Sequence, residues 1–226
     1  MADTFQRARS EEQRAVRRRA ILDTAVAMLG EMPVAQVSLN ELSRRVGLAK
    51  SNVLRYFESR EAVLLELLST ASQELIEHLD TALPAAVDAA APVSERTDRV
   101  AAAMAHALAE RPVLCDLISA QAAVLERNVS TRVAADYKRA SIAHAFALAH
   151  RVRVHVPELD ERDAVRFTAG ALLMTTAAWP HSNPSAAVLE VYESDPELAV
   201  LRVDFTTTLR ESLEALLSGL LARASR

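Results

Sequence analysis

The chain has 226 residues, half of them hydrophobic and a quarter charged, enough for one large helical domain or a small domain joined to a larger one. Four glycines leave little material for tight turns at positive φ or for a phosphate-cradling loop, so sheet-rich folds and nucleotide-binding loops are excluded. The net charge of −4 is unevenly spread. Residues 1–60 hold 11 Lys+Arg against 7 Asp+Glu, and the remainder 15 against 23, a basic head on an acidic body.

Alanine, leucine, arginine and glutamate dominate, which predicts an all-α protein of about nine helices. Residues 1–9 show no sustained period and read as a disordered arm. Ser10 to Gln13 has the form of a capping box, and Ile21, Leu22, Ala25, Val26, Met28 and Leu29 then recur at helical spacing until Gly30 and Pro33. Ser38-Leu39-Asn40-Glu41 is a second capping box, opening a two-turn helix that ends at Gly47. A short helix follows over 49–56, and Ser59 caps a long one carrying Val63, Leu64, Leu67, Leu68, Ala71, Leu75 and Leu79.

Pro84 to Pro92 reads as a linker. Further helices are predicted over 94–110, 112–127, 130–153, 160–179 and 200–223, with Ser94, Ser130 and Asp160-Glu161 at helix starts. The proline-rich stretch 180–196 reads as a loop with at most a short helix. Residues 10–70 are therefore assigned to a first domain and 71–226 to a second.

Two short helices joined by a tight glycine turn define a helix-turn-helix. Leu42, Val46, Leu48 and Val53 are spaced to meet between them and against Ile21, Ala25 and Leu29. The second helix keeps a polar outer face of Lys50, Ser51, Asn52 and Arg55, with Tyr56 at its end. Lysine and arginine can donate to phosphates or to guanine, asparagine can pair with adenine, and serine can reach either. Of Arg44 and Arg45, which follow the first of the two helices, one is expected at a phosphate.

The run SLNELSRRVGLAKSNVLRYFESREAVLLELL at 38–68, with RRRAILDTAVAMLGE before it, resembles the DNA-binding domain of the TetR family of transcriptional regulators. The resemblance covers residues 14–70. It rests on Ser38 at the cap, the Glu41-Leu42 and Val46-Gly47 pairs, Ala49-Lys50-Ser51 opening the third helix, Tyr56-Phe57, and Ser59-Arg60-Glu61 opening the fourth. It implies a dimeric regulator that binds a pseudo-palindromic double-stranded operator and answers to a small-molecule effector held in the helical body. Ser38, Lys50, Ser51, Asn52, Tyr56 and Arg60 are the DNA contacts it implies, to which the residue pattern adds Arg44 and Arg55. Leu54 departs from the family, where many members have a backbone-touching tyrosine. Arg60 replaces the common lysine, which keeps the charge and changes the donor geometry.

In the body, Met104, Tyr137, Phe146, Phe167 and Trp179 are the candidate effector-pocket residues. Small and apolar residues 169–173, and the stripe Phe205, Leu209, Leu213, Leu216, Leu217 and Leu220, are expected to be partly exposed in a single chain and so to favour a homodimer. No cofactor, metal or catalytic set is expected. None of the six histidines has a glutamate three residues before it, and neither a G-x-S-x-G nor an H-E-x-x-H run occurs. Cys115, the lone cysteine, excludes an internal disulfide. With no leader and no apolar run near 18 residues, a cytoplasmic protein that does not enter membranes is expected. The rival reading is a helical protein-interaction adaptor that has lost DNA binding.

Overall fold

A computed structural model describes the backbone of residues 2–224 and the side chains of residues 12–223. It is all helical among those residues: α1 Ala2–Leu29, α2 Leu39–Val46, α3 Lys50–Val53, α4 Arg60–Ala86, α5 Val93–Ala109, α6 Pro112–Ala120, α7 Thr131–His155, α8 Glu161–Ser182, α9 Ala186–Ser194, α10 Pro196–Ala199 and α11 Phe205–Ala224. Nine of these are long, and α3 and α10 have four residues each.

Some boundaries differ from expectation for physical reasons. The first helix takes in the segment expected to be an arm and runs straight through Ser10, because nothing between Ala2 and Leu29 breaks a helix: the segment holds no glycine or proline. The linker expected from Pro84 begins later, since Pro84 is absorbed into the last turn of α4. The helix expected over 112–127 is interrupted: α6 stops at Ala120 and five residues, Gln121–Leu125, wind more widely as a π-helix. In the proline-rich stretch α8 runs past Trp179 to Ser182, and α9 and α10 follow.

The chain divides into two compact units, Met1–Leu68 with Ala120–Tyr137, and Ser69–Ser119 with Lys138–Arg226. The first is built on α1 packed against α2, and α2 against α3. Its core takes most of the apolar face predicted from periodicity, Ile21, Ala25, Met28, Leu29, Leu42, Val53 and Phe57, joined by Val34 and Val37 from the α1–α2 connection, while Leu22, Val46 and Leu48 are half-buried and Val26 is exposed. Within this unit Glu58 accepts hydrogen bonds from the Ser130 backbone N–H (2.6 Å) and hydroxyl (2.8 Å) at the start of α7, and Ser130 in turn caps Val133. The paired donors hold the Glu58 carboxyl below its usual range, the backbone N–H contributing most.

In the second unit α11 packs against both α5 and α8. Phe205, Leu209, Leu213, Leu217 and Leu220 are buried here, so the leucine stripe expected to be partly exposed serves the chain's own core. The α8–α11 approach is close. A Cβ on Gly170 would come within 2.5 Å of Leu216 Cδ2. Arg96 is buried and fully engaged, donating to the carbonyls of Ala91 (3.0 Å) and His155 (2.7 Å) and pairing with the Glu158 carboxylate. Burial of this guanidinium is tolerated because every part of it meets an acceptor. Cys115 is fully buried, its thiol donates to the Leu108 carbonyl at 3.3 Å, and desolvation with the neighbouring Asp116 pushes its pKa up to about 12.

Candidate DNA-binding site

The site begins with the two ends of α2. Ser38 sits in extended backbone and its Oγ accepts from the Glu41 N–H at 3.2 Å, which satisfies one of the orphan donors of the helix. Only this half of the capping box forms. The Glu41 carboxylate turns along the helix instead, taking two bonds from Arg44 (2.8 and 2.6 Å) and one from Arg45 (2.8 Å), and these hold its pKa down to about 2. Two cationic partners outbid one backbone N–H.

At the other end Gly47 is left-handed (φ 71°, ψ 30°), the single positive-φ residue among those described. Its N–H bonds to the Arg44 carbonyl at 3.2 Å and that of Leu48 to Ser43 at 3.0 Å, the paired closure of a Schellman end. A side chain at Gly47 would meet no atom within 4 Å, so the glycine is required by backbone conformation and not by space.

The reversal delivers α3 with Val53 buried and Lys50, Ser51, Asn52, Leu54 and Arg55 exposed. The regular helix lasts only Lys50–Val53, shorter than the expected 49–56. Hydrogen-bonded turns carry the chain on, Leu54 N–H to Lys50 and Tyr56 and Phe57 N–H to Val53. Phe57 closes the core at 3% exposure, as its place in the pattern predicts. Ser59 then caps α4, accepting from Ala62 N–H at 3.1 Å.

Charge pairing sorts the nine basic residues between Arg14 and Arg60. Five are committed within the unit. Arg18 pairs with Glu66, donates to the Tyr56 carbonyl at 2.8 Å and lies over the Phe57 ring. Arg19 pairs with Asp23, Arg44 with Glu41, and Arg45 with both Glu31 and Glu41. Arg60 donates to the carbonyls of Val37 (2.9 Å) and Ala35 (3.4 Å) and lies 3.2 Å from Glu61. Lys50, Arg55, Arg14 and Arg17 have no ion pair among the described residues.

Two of those four were expected at the site. The pairing also sets Arg44 apart, since it stands exposed yet is held by Glu41, and Arg60, which is turned inward. Arg14 and Arg17 are outside the expected set. They line an open cleft of about 760 Å³ beside α1, together with Glu12, Val16, Arg55 and Tyr56. The sequence carries a signal for Arg17 that motif reading overlooks. It has no acidic residue three or four positions away, whereas Arg19, Arg44 and Arg45 each do.

The candidate effector residues are divided between the two units. Tyr137 belongs to the first unit and the other four to the second. Phe146 is 49% exposed on the flank of α7, which buries Ala149 and Val152 instead. Met104 and Phe167 are buried, and Trp179 is half-buried, its indole N–H donating to Asp116 at 2.7 Å and its ring edge-on to Phe205 at 4.9 Å. No group of acidic, histidine and cysteine side chains able to hold a metal occurs among the described residues, and no described helix is long and apolar enough to cross a membrane.

A capped α2, a left-handed glycine and an α3 with a polar outer face are the parts of a helix-turn-helix. Residues 21–67 match the model of bacterial regulatory proteins of the tetR family, and residues 70–224 match a tetracyclin repressor-like C-terminal domain. The chain belongs to the TetR family and is a DNA-binding transcriptional regulator by that membership. The fold is shared with a TetR transcriptional regulator from Rhodococcus sp. RHA1 (15% identity, TM-score 0.55, covering 92% of this chain and 97% of that one). It is shared likewise with the fatty acid degradation regulator FadR from Bacillus halodurans (17%, 0.55, covering 90% and 96%). A third structure with this fold is FadR from Bacillus subtilis in complex with stearoyl-CoA (17%, 0.53, covering 88% and 97%). Comparison with curated proteins by sequence yields no match.

Proposed function

We propose that the protein is a ligand-responsive repressor in the cytoplasm, binding a pseudo-palindromic operator as a homodimer, with α3 read into the major groove. The observation that carries this reading is the outer face of α3 and of the turn after it, where Lys50 and Arg55 stand exposed, with no carboxylate partner among the described residues, on either side of Ser51 and Asn52. Unneutralised cations beside a short hydrogen-bonding row are what base and phosphate recognition needs. Ser51 and Asn52 supply base contacts, and Lys50, Arg55, Tyr56 and Ser38 fix the register on the backbone. Arg44 joins them by exchanging Glu41 for a phosphate, and Arg60 through whatever its inward bonds leave available.

Two copies meet through α8 and α11. Among the exposed residues of α8 are Ala169, Leu172, Leu173 and Ala177, with Glu161, Arg162 and Arg166 exposed nearer its start, and among those of α11 are Ala215, Ser218, Gly219 and Ala222, with Glu211 one turn before them. Both sets follow the i, i+3, i+4 rhythm, and Leu173 is 69% exposed. A self-complementary apolar face of this kind suits an isologous two-fold partner, and the two α3 helices would then lie about 34–36 Å apart on DNA. The effector is a small molecule held in the body, with Met104, Tyr137, Phe146, Phe167 and Trp179 as the candidate pocket residues. Long-chain acyl-CoA is the first probe to try, since a protein of this fold has been captured with one.

Selection of bound genomic fragments with the purified protein tests the reading. The expected result is enrichment of an inverted repeat with half-site centres one helical turn apart. On the selected site, Asn52→Ala should cost roughly 1–3 kcal/mol of discrimination between correct and altered half-sites. Recovery of fragments with no common element would overturn the specific-repressor reading.

A further inference from the structure

We infer that the cleft beside α1 is a second DNA-backbone site, in which Arg14 and Arg17 grip phosphates flanking the groove that α3 reads. The inference rests on the proposed DNA reading and extends it from the helix-turn-helix onto the preceding helix.

Among the described residues, three guanidinium groups, Arg14, Arg17 and Arg55, face this cleft of about 760 Å³, and one carboxylate, Glu12, faces it with them. None of the three has an ion pair among the described residues, although the same unit neutralises Arg18, Arg19, Arg44 and Arg45 with carboxylates. An exposed cation with no counter-charge among the described residues, in a unit that supplies one to its neighbours, is available to an external anion. Arg14 and Arg17 are one helical turn apart, about 5–6 Å between Cβ atoms, so they present charge along a line. A linear polyanion fits such a line better than a compact one. The cleft is also continuous with the proposed reading surface: its far wall is Arg55 and Tyr56, and Arg14 Nη2 donates to the Arg55 carbonyl at 3.5 Å. A strand followed outward from α3 therefore enters this cleft next.

The test measures binding of the full-length protein to a random-sequence 30-base-pair duplex between 50 and 200 mM salt, for wild type, Arg14→Gln, Arg17→Gln, the double variant and Arg19→Gln. Arg19 carries the same charge on the same helix but is held by Asp23 and does not line the cleft. Each of Arg14→Gln and Arg17→Gln should lower the slope of log K against log salt by about 0.9, and the double variant by about 1.8. The double variant's loss of affinity relative to wild type should then be about 12-fold greater at 50 mM than at 200 mM salt. Arg19→Gln should keep the wild-type slope, and all variants should melt with wild type.

Slopes unchanged in the cleft variants, or lowered equally in Arg19→Gln, overturn the inference. So does loss of inorganic phosphate binding, read by phosphorus-31 line broadening, with the duplex slope intact, because the cleft would then hold a small anion. If wild type itself fails to retain the duplex at 50 mM salt, the DNA reading falls and the inference with it.

Discussion

The Arg18 guanidinium lies over the Phe57 ring, its Cζ 4.1 Å from the ring centroid, while one of its nitrogens donates to the carbonyl of Tyr56. One side chain of α1 thereby fixes the chain segment that leaves α3, and its pairing with Glu66 ties the same group to α4. Arg18→Met should destabilise the protein by about 1–2 kcal/mol through lost cation–π and charge-assisted contacts. Arg18→Lys should recover part of that, since an ammonium can sit over the ring but cannot also fork to a carboxylate. Chemical denaturation of the three proteins checks this, and a Lys variant as weak as the Met variant would remove the ring contact from the account.

Arg60 is the position where motif and geometry pull apart. Family resemblance assigns it to a phosphate, yet its Nη1 holds Val37 and Ala35 carbonyls in the α1–α2 connection. Arg60→Met should lower stability by roughly 1–3 kcal/mol, because the carbonyl of buried Val37 loses its charged donor. A phosphate role adds a fall of about one unit in the salt slope of DNA binding. Measuring both on one variant separates the roles, and an unchanged slope with lowered stability confines Arg60 to scaffolding.

Glu58 gives the first unit a defined acid response. Its folded-state pKa is depressed by the Ser130 donors, so its contribution is complete above the ordinary glutamate value and is lost as pH falls through the lower folded value. Wild type should therefore lose stability relative to Glu58→Gln as pH is taken from 6 toward 3. The difference between the two proteins should be largest near neutrality. Denaturation midpoints at several pH values check this, and a constant difference across the range would show that Glu58 bears no linked proton.

The face of α11 that carries Gly219 is open, with nothing within 4 Å of a Cβ built there. Gly219→Ala should stabilise an isolated chain by about 0.5–1 kcal/mol from helix propensity alone. Gly219→Arg should leave the chain folded and prevent pairing of copies, as read by sedimentation. A Gly219→Arg protein with the wild-type oligomeric state would place the partner elsewhere.

The first unit was largely legible in the sequence, because its signals are local. Ser38, Gly47 and Ser59 mark helix ends through their own backbone bonds, and Ile21, Leu42 and Val53 announce burial by spacing alone. What escaped was non-local. That Glu41 serves Arg44 and Arg45 in place of its own cap, that Glu58 meets Ser130, and that Arg18 stacks on Phe57 depend on separations of up to 72 residues or on competition between acceptors. The α11 stripe was recognised as apolar, but periodicity cannot say whether such a stripe faces the chain's own α5 and α8 or another copy. Breaks in α1 and α8 were overestimated because a polar segment and a proline near a helix end are weak stops when the surrounding residues favour helix.

The buried thiol of Cys115 has a practical corollary. Held as a neutral donor to Leu108 with its ionisation pushed up to about 12, it offers almost no thiolate to an alkylating reagent near neutral pH. A cysteine placed at an exposed position away from the DNA-binding face, such as Ser185, would then be the one reactive thiol per chain. Maleimide spin labels or dyes would attach there without first deleting the native residue, so distances between two marked chains could be read directly with and without duplex.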